Sequence, residues 1–179
     1  MRKVRLSKPI LAFVAVLICV TGCTRPKSPT SESAVGTSQP GQPRHSVDVV
    51  KATPKEVTIK AGGDGDAVVQ LTIQNGYHVN ANPPTFAYLK ATELELPHSP
   101  GVSVSFIVYP NPLTKTFSFA EKPLAVYEGV TDIKARLKVD KSTKPGQHDL
   151  PAKVQVQACD NQVCYAPGTL DITIPLIVK

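Results

Sequence analysis

Two cysteines separated by four residues are the side chains of this sequence best placed to do chemistry. They are Cys159 and Cys164, in the run Val154-Gln-Val-Gln-Ala-Cys-Asp-Asn-Gln-Val-Cys-Tyr-Ala-Pro-Gly168. Thiols exchange with disulfides, bind soft metals or staple a fold, and spacing helps to separate these uses. Val154, Val156 and Ala158 alternate with Gln155 and Gln157, the pattern of a half-buried strand running into Cys159. Asp160 and Asn161 favour a turn. A four-residue hairpin loop would set the cysteines opposite each other with Cα atoms about 4.5–5.5 Å apart, a separation that a disulfide accepts. The ring so closed is small. It removes about 2 kcal/mol of unfolded-state entropy, where a ring of about 100 residues would remove about 4.7 kcal/mol. A local bond of this kind can open without dismantling the fold around it. Pro167 points to a sheet edge, where a partner thiolate could reach the sulfur.

The spacing is not Cys-x-x-Cys, no helix N-terminus is evident to lower a thiol pKa, and Asp160 would tend to raise it. The pair therefore reads as a shielded exchange partner attacked by another protein's thiolate. A structural hairpin staple is the alternative that spacing alone leaves open.

Other constellations are weaker. His78 could join the two thiolates as a soft metal ligand. The four histidines at 45, 78, 98 and 148 show no ligand spacing, however, and a structural hydrogen bond is the expectation for His78. Asp64 and Asp66 in Gly62-Gly63-Asp64-Gly65-Asp66 lack a third carboxylate at calcium-loop spacing and read as a solvated turn. Walker, Gly-x-Ser-x-Gly and His-Glu-x-x-His signatures are missing, so nucleotide and hydrolase readings have no support. No metal and no cofactor are expected. The net charge of +6 does not imply nucleic acid: residues 46–179 hold 13 Lys+Arg and 13 Asp+Glu, so the excess sits at the N-terminus.

That N-terminus reads as an address. Arg2, Lys3, Arg5 and Lys8 precede an apolar run of 12 residues, Pro9–Val20, which is short for a membrane span. Val20-Thr21-Gly22-Cys23 looks like a bacterial lipobox. Residues 1–22 would be removed, and Cys23 would carry the lipid. Residues 23–45 then form a Pro/Ser-rich tether with one large apolar residue, Val35. This would hold the following domain near a membrane of the cell envelope, facing periplasm or exterior.

The elements that must position the cysteines read as all-β. Apolar or alternating runs are predicted as strands at Val47–Val50, Val57–Lys60, Ala67–Ile73, Leu94–Leu96, Val102–Val108, Thr116–Phe119, Ile133–Val139, Lys153–Ala158 and Leu170–Val178. Asn75-Gly76, Pro100-Gly101 and Pro145-Gly146 punctuate them. Tyr77–Leu89, with Asn80, Asn82, Pro83 and Pro84, is expected to cross between sheets rather than form a continuous central strand. Nine short strands without helical periodicity favour a β-sandwich over residues 46–179. A domain of that size can bury a core without cross-links.

Residues 47–177 resemble the N-terminal, periplasmic domain of the thiol:disulfide interchange protein DsbD. The likeness rests on Gly76-Tyr-His-Val-Asn-Ala-Asn-Pro-Pro84, Thr92-Glu93-Leu94, Tyr127-Glu128-Gly129, Val156-Gln-Ala-Cys159 and Cys164-Tyr-Ala-Pro167. The resemblance implies an immunoglobulin-like β-sandwich. It implies that Cys159 and Cys164 form a redox pair. A membrane-embedded thiol reductase would reduce it, and thioredoxin-like envelope proteins would be the acceptors, through mixed disulfides formed at Cys164. It further implies an aromatic cap over the pair, and Phe119 is the match by position. The bland alternative is that Phe117 and Phe119 are core residues on one strand face. The transmembrane electron-carrying and C-terminal thioredoxin-like parts of that protein have no counterpart in this sequence, so the donor would be a separate protein.

The expected function is thus an envelope lipoprotein whose domain relays reducing equivalents. The competing expectation is a non-enzymatic binding or assembly module with a structural hairpin disulfide.

Overall fold

The computed structural model describes residues 45–179; the signal segment, Cys23 and most of the tether lie outside the described residues. Twelve strands form, the longer ones from alternating apolar and polar residues: β1 (Val50–Pro54), β2 (Val57–Ile59), β3 (Asp64–Ile73), β4 (His78–Asn80), β5 (Glu93–Glu95), β6 (Val102–Val108), β7 (Leu113–Lys115), β8 (Leu124–Tyr127), β9 (Val130–Val139), β10 (Gly146–Val156), β11 (Ala158–Cys159) and β12 (Gly168–Val178). One 3-10 turn, Ser46–Val49, precedes them. The strands form three four-stranded sheets ordered β1-β3-β9-β6, β2-β12-β10-β5 and β11-β4-β8-β7. The fold is an immunoglobulin-like β-sandwich, as expected.

The period-two pattern decides which side chains face inward. In the first sheet Val69, Leu71, Ile133, Ala135 and Leu137 are fully buried. In the second, Val154, Val156, Ile174 and Leu176 meet them in one continuous core. The long β10–β12 pair runs in unbroken register from Gly146↔Val178 to Val156↔Gly168.

At Gln157 the chain leaves the second sheet and enters the third. The third sheet has two faces with different partners. Val79, Tyr127 and Ala158 point into the main core. Leu124 and Val126 pack instead with Phe117 in a small separate cluster, flanked by Phe86, Leu89 and Ala120.

Several expectations shift. Val47–Val50 is mostly the 3-10 turn, because the Asp48 carboxylate accepts the His45 N–H at 2.9 Å and the Asp48 N–H bonds the His45 carbonyl at 3.1 Å. Thr116–Phe119 is not a strand: β7 ends at Lys115, and the Ala120 N–H bonds the Phe117 carbonyl to close a turn. His78–Asn80 does form a strand interior to a sheet, though one of only three residues. Asp64 and Asp66 are solvent-exposed as expected but lie in β3 rather than in a turn, because they pair with Lys138 and Arg136 of β9; Arg136 bonds both carboxylates. Strand β8 went unpredicted.

Candidate functional site

The cysteine hairpin grows out of the β10–β12 pair at the open edge of the third sheet, where β11 is the end strand. Cys159 and Cys164 are disulfide-bonded and directly opposed, with Cα atoms 3.9 Å apart. Asp160 N–H bonds the Val163 carbonyl at 2.9 Å, and Tyr165 N–H bonds the Ala158 carbonyl at 2.8 Å. These bonds flank the cysteines, which therefore occupy a non-hydrogen-bonded site, the closer of the two antiparallel pair types at about 4.5 Å. The separation is shorter than that, and shorter than the usual span of a disulfide.

Side chains fasten the hairpin at its tip and at its root. At the tip, Asp160 Oδ1 accepts the N–H groups of Gln162 and Val163 at 2.7 and 2.8 Å. Its Oδ2 accepts the Tyr165 hydroxyl at 2.5 Å. Partial burial pushes the Asp160 carboxyl up, but the Tyr165 hydroxyl and the two backbone donors outweigh it and hold the group below its ordinary value. Burial and then that carboxylate push the Tyr165 hydroxyl well above its ordinary range. At the root, buried Ser46 bridges both arms: its hydroxyl donates to the Ala166 carbonyl at 2.7 Å and accepts the Ala158 N–H at 2.8 Å. Gln157 Oε1 accepts from Lys90 N–H at 2.8 Å and Asn80 Nδ2 at 3.0 Å, tying the 77–90 segment to the same corner.

The two sulfurs differ in access. Cys159 is fully buried, whereas Cys164 is half-buried. Cys159 pairs with His78 across β11 and β4, so their side chains share one face of the third sheet. This is the face turned away from the main core. The His78 ring stacks on Phe117 with centroids 4.1 Å apart, and Phe117 stacks on Phe119 at 5.4 Å. Phe117 is buried and Phe119 is 39 % exposed. An open hollow of about 340 Å³ lies beside the disulfide, lined by Leu89, Phe119, Ala120, Leu124, Val163 and Cys164. Its walls are mostly apolar, and they bring Phe119 and Cys164 to one surface.

His78 departs from expectation. In place of a structural hydrogen bond, its Nε2 is buried without a partner. Burial pushes its pKa down to about 4, against the opposing pull of Glu128 and Asp160 and with a smaller push from Lys115. The imidazole is neutral at physiological pH.

The family profile described as "Thiol:disulfide interchange protein DsbD, N-terminal" matches residues 46–175. The chain belongs to this family. Solved structures similar to this DsbD N-terminal domain include the N-terminal periplasmic domain of ScsB from Proteus mirabilis, at 17% identity and TM-score 0.47, covering 72% of this chain and 45% of that one. The chain thus spans less than half of the ScsB domain's length. The Neisseria meningitidis DsbD N-terminal domain in the reduced form is also similar, at 16% identity and TM-score 0.41, covering 64% of this chain and 79% of that one. No curated protein matches the sequence.

Within the DsbD N-terminal domain described here, Phe119 and Cys164 line one hollow, and Cys159, bonded to Cys164, is fully buried. Phe117 belongs to the small core, and Phe119 lies over it in a turn, so the two are not same-face strand residues. Cys23 lies outside the described residues. Among the described residues no group of His, Cys, Asp and Glu is arranged to hold a metal ion, and no helix is long and apolar enough to cross a membrane. Sequence reasoning missed Ser46, Tyr165 as the partner of Asp160, and Gln157. Of these only the Asp160/Tyr165 pair carried a signal, an acidic turn residue five positions before a tyrosine.

Proposed function

We propose that this domain is a thiol–disulfide exchange module of a bacterial cell envelope, with Cys159 and Cys164 as its redox pair. The observation that carries the reading is the asymmetry of the disulfide. One sulfur opens onto an apolar hollow beside an aromatic lid, while the other is sealed on a sheet face outside the main core.

In the reductive step, a thiolate of the donor attacks Cys164 Sγ. The S–S bond breaks, its electron pair leaves on Cys159 Sγ, and a mixed disulfide joins the donor to Cys164. The donor's second thiolate then attacks its own sulfur in that bond and releases Cys164 as a thiolate. The donor is oxidised to a disulfide and the pair is reduced to a dithiol. In the delivery step, Cys164 attacks an acceptor disulfide. Cys159 then attacks Cys164 Sγ, re-forming the original bond and releasing the acceptor as a dithiol. A membrane-embedded thiol reductase as donor and thioredoxin-like envelope proteins as acceptors fit this cycle by family. Lipid attachment at Cys23, after removal of residues 1–22, would keep the domain within reach of a membrane partner.

The test is a trapping experiment in cells. Cys159→Ser leaves the accessible Cys164 unable to be resolved, so covalent partner adducts should accumulate and disappear on reduction. Cys164→Ser leaves only a sealed thiol and should accumulate few. If neither variant traps a partner while both stay folded, the disulfide is a structural staple and the exchange reading falls.

A further inference from the structure

We infer that His78 is the proton partner of Cys159, placed to receive the buried sulfur when the disulfide opens. The inference deepens the exchange reading and rests on it. Cys159 and His78 are direct cross-strand partners on the same face of the third sheet. Cys159 is fully buried and His78 is 1% exposed, the ring lying at the floor of an open polar hollow lined by Lys115, Glu128 and Asn161. Phe117 stacks against the imidazole at 4.1 Å, with ring planes 17° apart, and limits its rotation. His78 Nε2 is buried and has no hydrogen-bond partner. A buried polar nitrogen without a hydrogen bond destabilises a fold, and an all-carbon ring would fill the same space without that cost.

The oxidised state gives the nitrogen no role, because a disulfide sulfur carries no proton. The opened state does. When a thiolate attacks Cys164, the leaving electron pair appears on Cys159 Sγ, which has no water to stabilise it. The N–H of the neutral imidazole can donate a hydrogen bond to that thiolate; when the other ring nitrogen takes a proton from solvent, the facing nitrogen passes its own to Cys159 Sγ and the ring is neutral again. The net result is one incoming thiolate consumed, one S–S bond exchanged for another, and one thiol at Cys159.

The charged groups facing the ring come from three elements: Lys115 on β7, Glu128 after β8, and Asp160 in the hairpin. Lys115 and Glu128 pair with each other at 2.6 Å. Burial dominates them while the disulfide is intact, and a thiolate at Cys159 would add an anion at close range and favour the protonated ring.

The test uses the full-length chain reduced by dithiothreitol. Reduction is followed by alkylation of the tryptic peptide Val154–Lys179, which contains Cys159 and Cys164 but neither Cys19 nor Cys23. His78→Phe keeps a ring for the Phe117 stack and removes both nitrogens. It should slow reduction at pH 7 by about tenfold or more, the loss of one hydrogen bond to a charged group. His78→Gln, which retains a donor, should recover part of the rate. In the wild type, long-range proton–nitrogen NMR of the His78 ring should change between the disulfide and dithiol states, with a higher imidazole pKa in the latter. Reduction of a folded His78→Phe chain at the wild-type rate, or identical ring signals in the two redox states, overturns the inference and leaves the exchange reading standing. A wild-type disulfide that resists dithiothreitol in the folded chain overturns the exchange reading and the inference with it.

Discussion

Phe119 and His78 lie at opposite ends of one aromatic stack and answer to different measurements. Phe119 is partly exposed, stands beside Cys164 and contributes little to the core. Phe119→Ala should speed reduction by small thiols several-fold while shifting stability by no more than about 1 kcal/mol, because surface truncations rarely cost more. Parallel alkylation kinetics and urea unfolding check both halves. His78 has a stability signature of its own. Its folded pKa of about 4 lies below the ordinary 6.5, so between those values the unfolded chain binds more protons than the folded one. This contribution is fully present above about pH 6.5 and is lost as the pH falls towards 4. It amounts to at most about 3 kcal/mol, the free-energy equivalent of the gap between the folded and unfolded pKa values. Urea unfolding of the oxidised chain should show this loss in the wild type and much less of it in His78→Phe. An equal pH slope in the two proteins would mean that other groups control acid sensitivity.

The hairpin and the third sheet are where prediction from sequence was least complete. The turn at Asp160 and the opposition of Cys159 to Cys164 follow from local chemistry alone, and both were readable. Strands β3, β9, β10 and β12 were also readable in outline, since each alternates long enough to show its period. The small sheet was not. Strand β4 has three residues, all buried, and so carries no alternation. Strand β8 shows only one partly buried residue among its four. Their neighbours are distant in sequence, and only tertiary pairing such as Asn80↔Val126 defines them. The stack from His78 through Phe117 to Phe119 depends on that pairing and was hidden for the same reason. One hydrogen bond at the hairpin can be tested directly. Tyr165→Phe removes the hydroxyl from Asp160 Oδ2. It should cost about 1 kcal/mol and raise amide hydrogen exchange at Gln162 and Val163. Unchanged exchange there would show that the backbone bonds hold the tip without the tyrosine.

At the scale of the whole domain, the described residues divide their buried apolar side chains between a large core that keeps the fold and a small one that borders the Cys164 hollow. Damage should follow that division. Ile133→Ala, in the main core, should cost about 2–5 kcal/mol. Opening the Cys159–Cys164 bond should cost about 2 kcal/mol and leave the far-ultraviolet circular dichroism unchanged. If the pair serves in relay, its reduction potential should fall between about −180 and −270 mV. A value below about −300 mV would instead mark a staple that envelope reductants rarely open.

Strand β12 lies between β2 and β10, pairing parallel to the first and antiparallel to the second. The second sheet therefore cannot close until residues 168–178 are available, although most of its other strands precede them by many residues. Under the proposed envelope location, a chain exported from its N-terminus would present Cys159 and Cys164 before this last strand arrives. In that order the Cys159–Cys164 bond would form while the second sheet is still open, ahead of the strand that completes the main core.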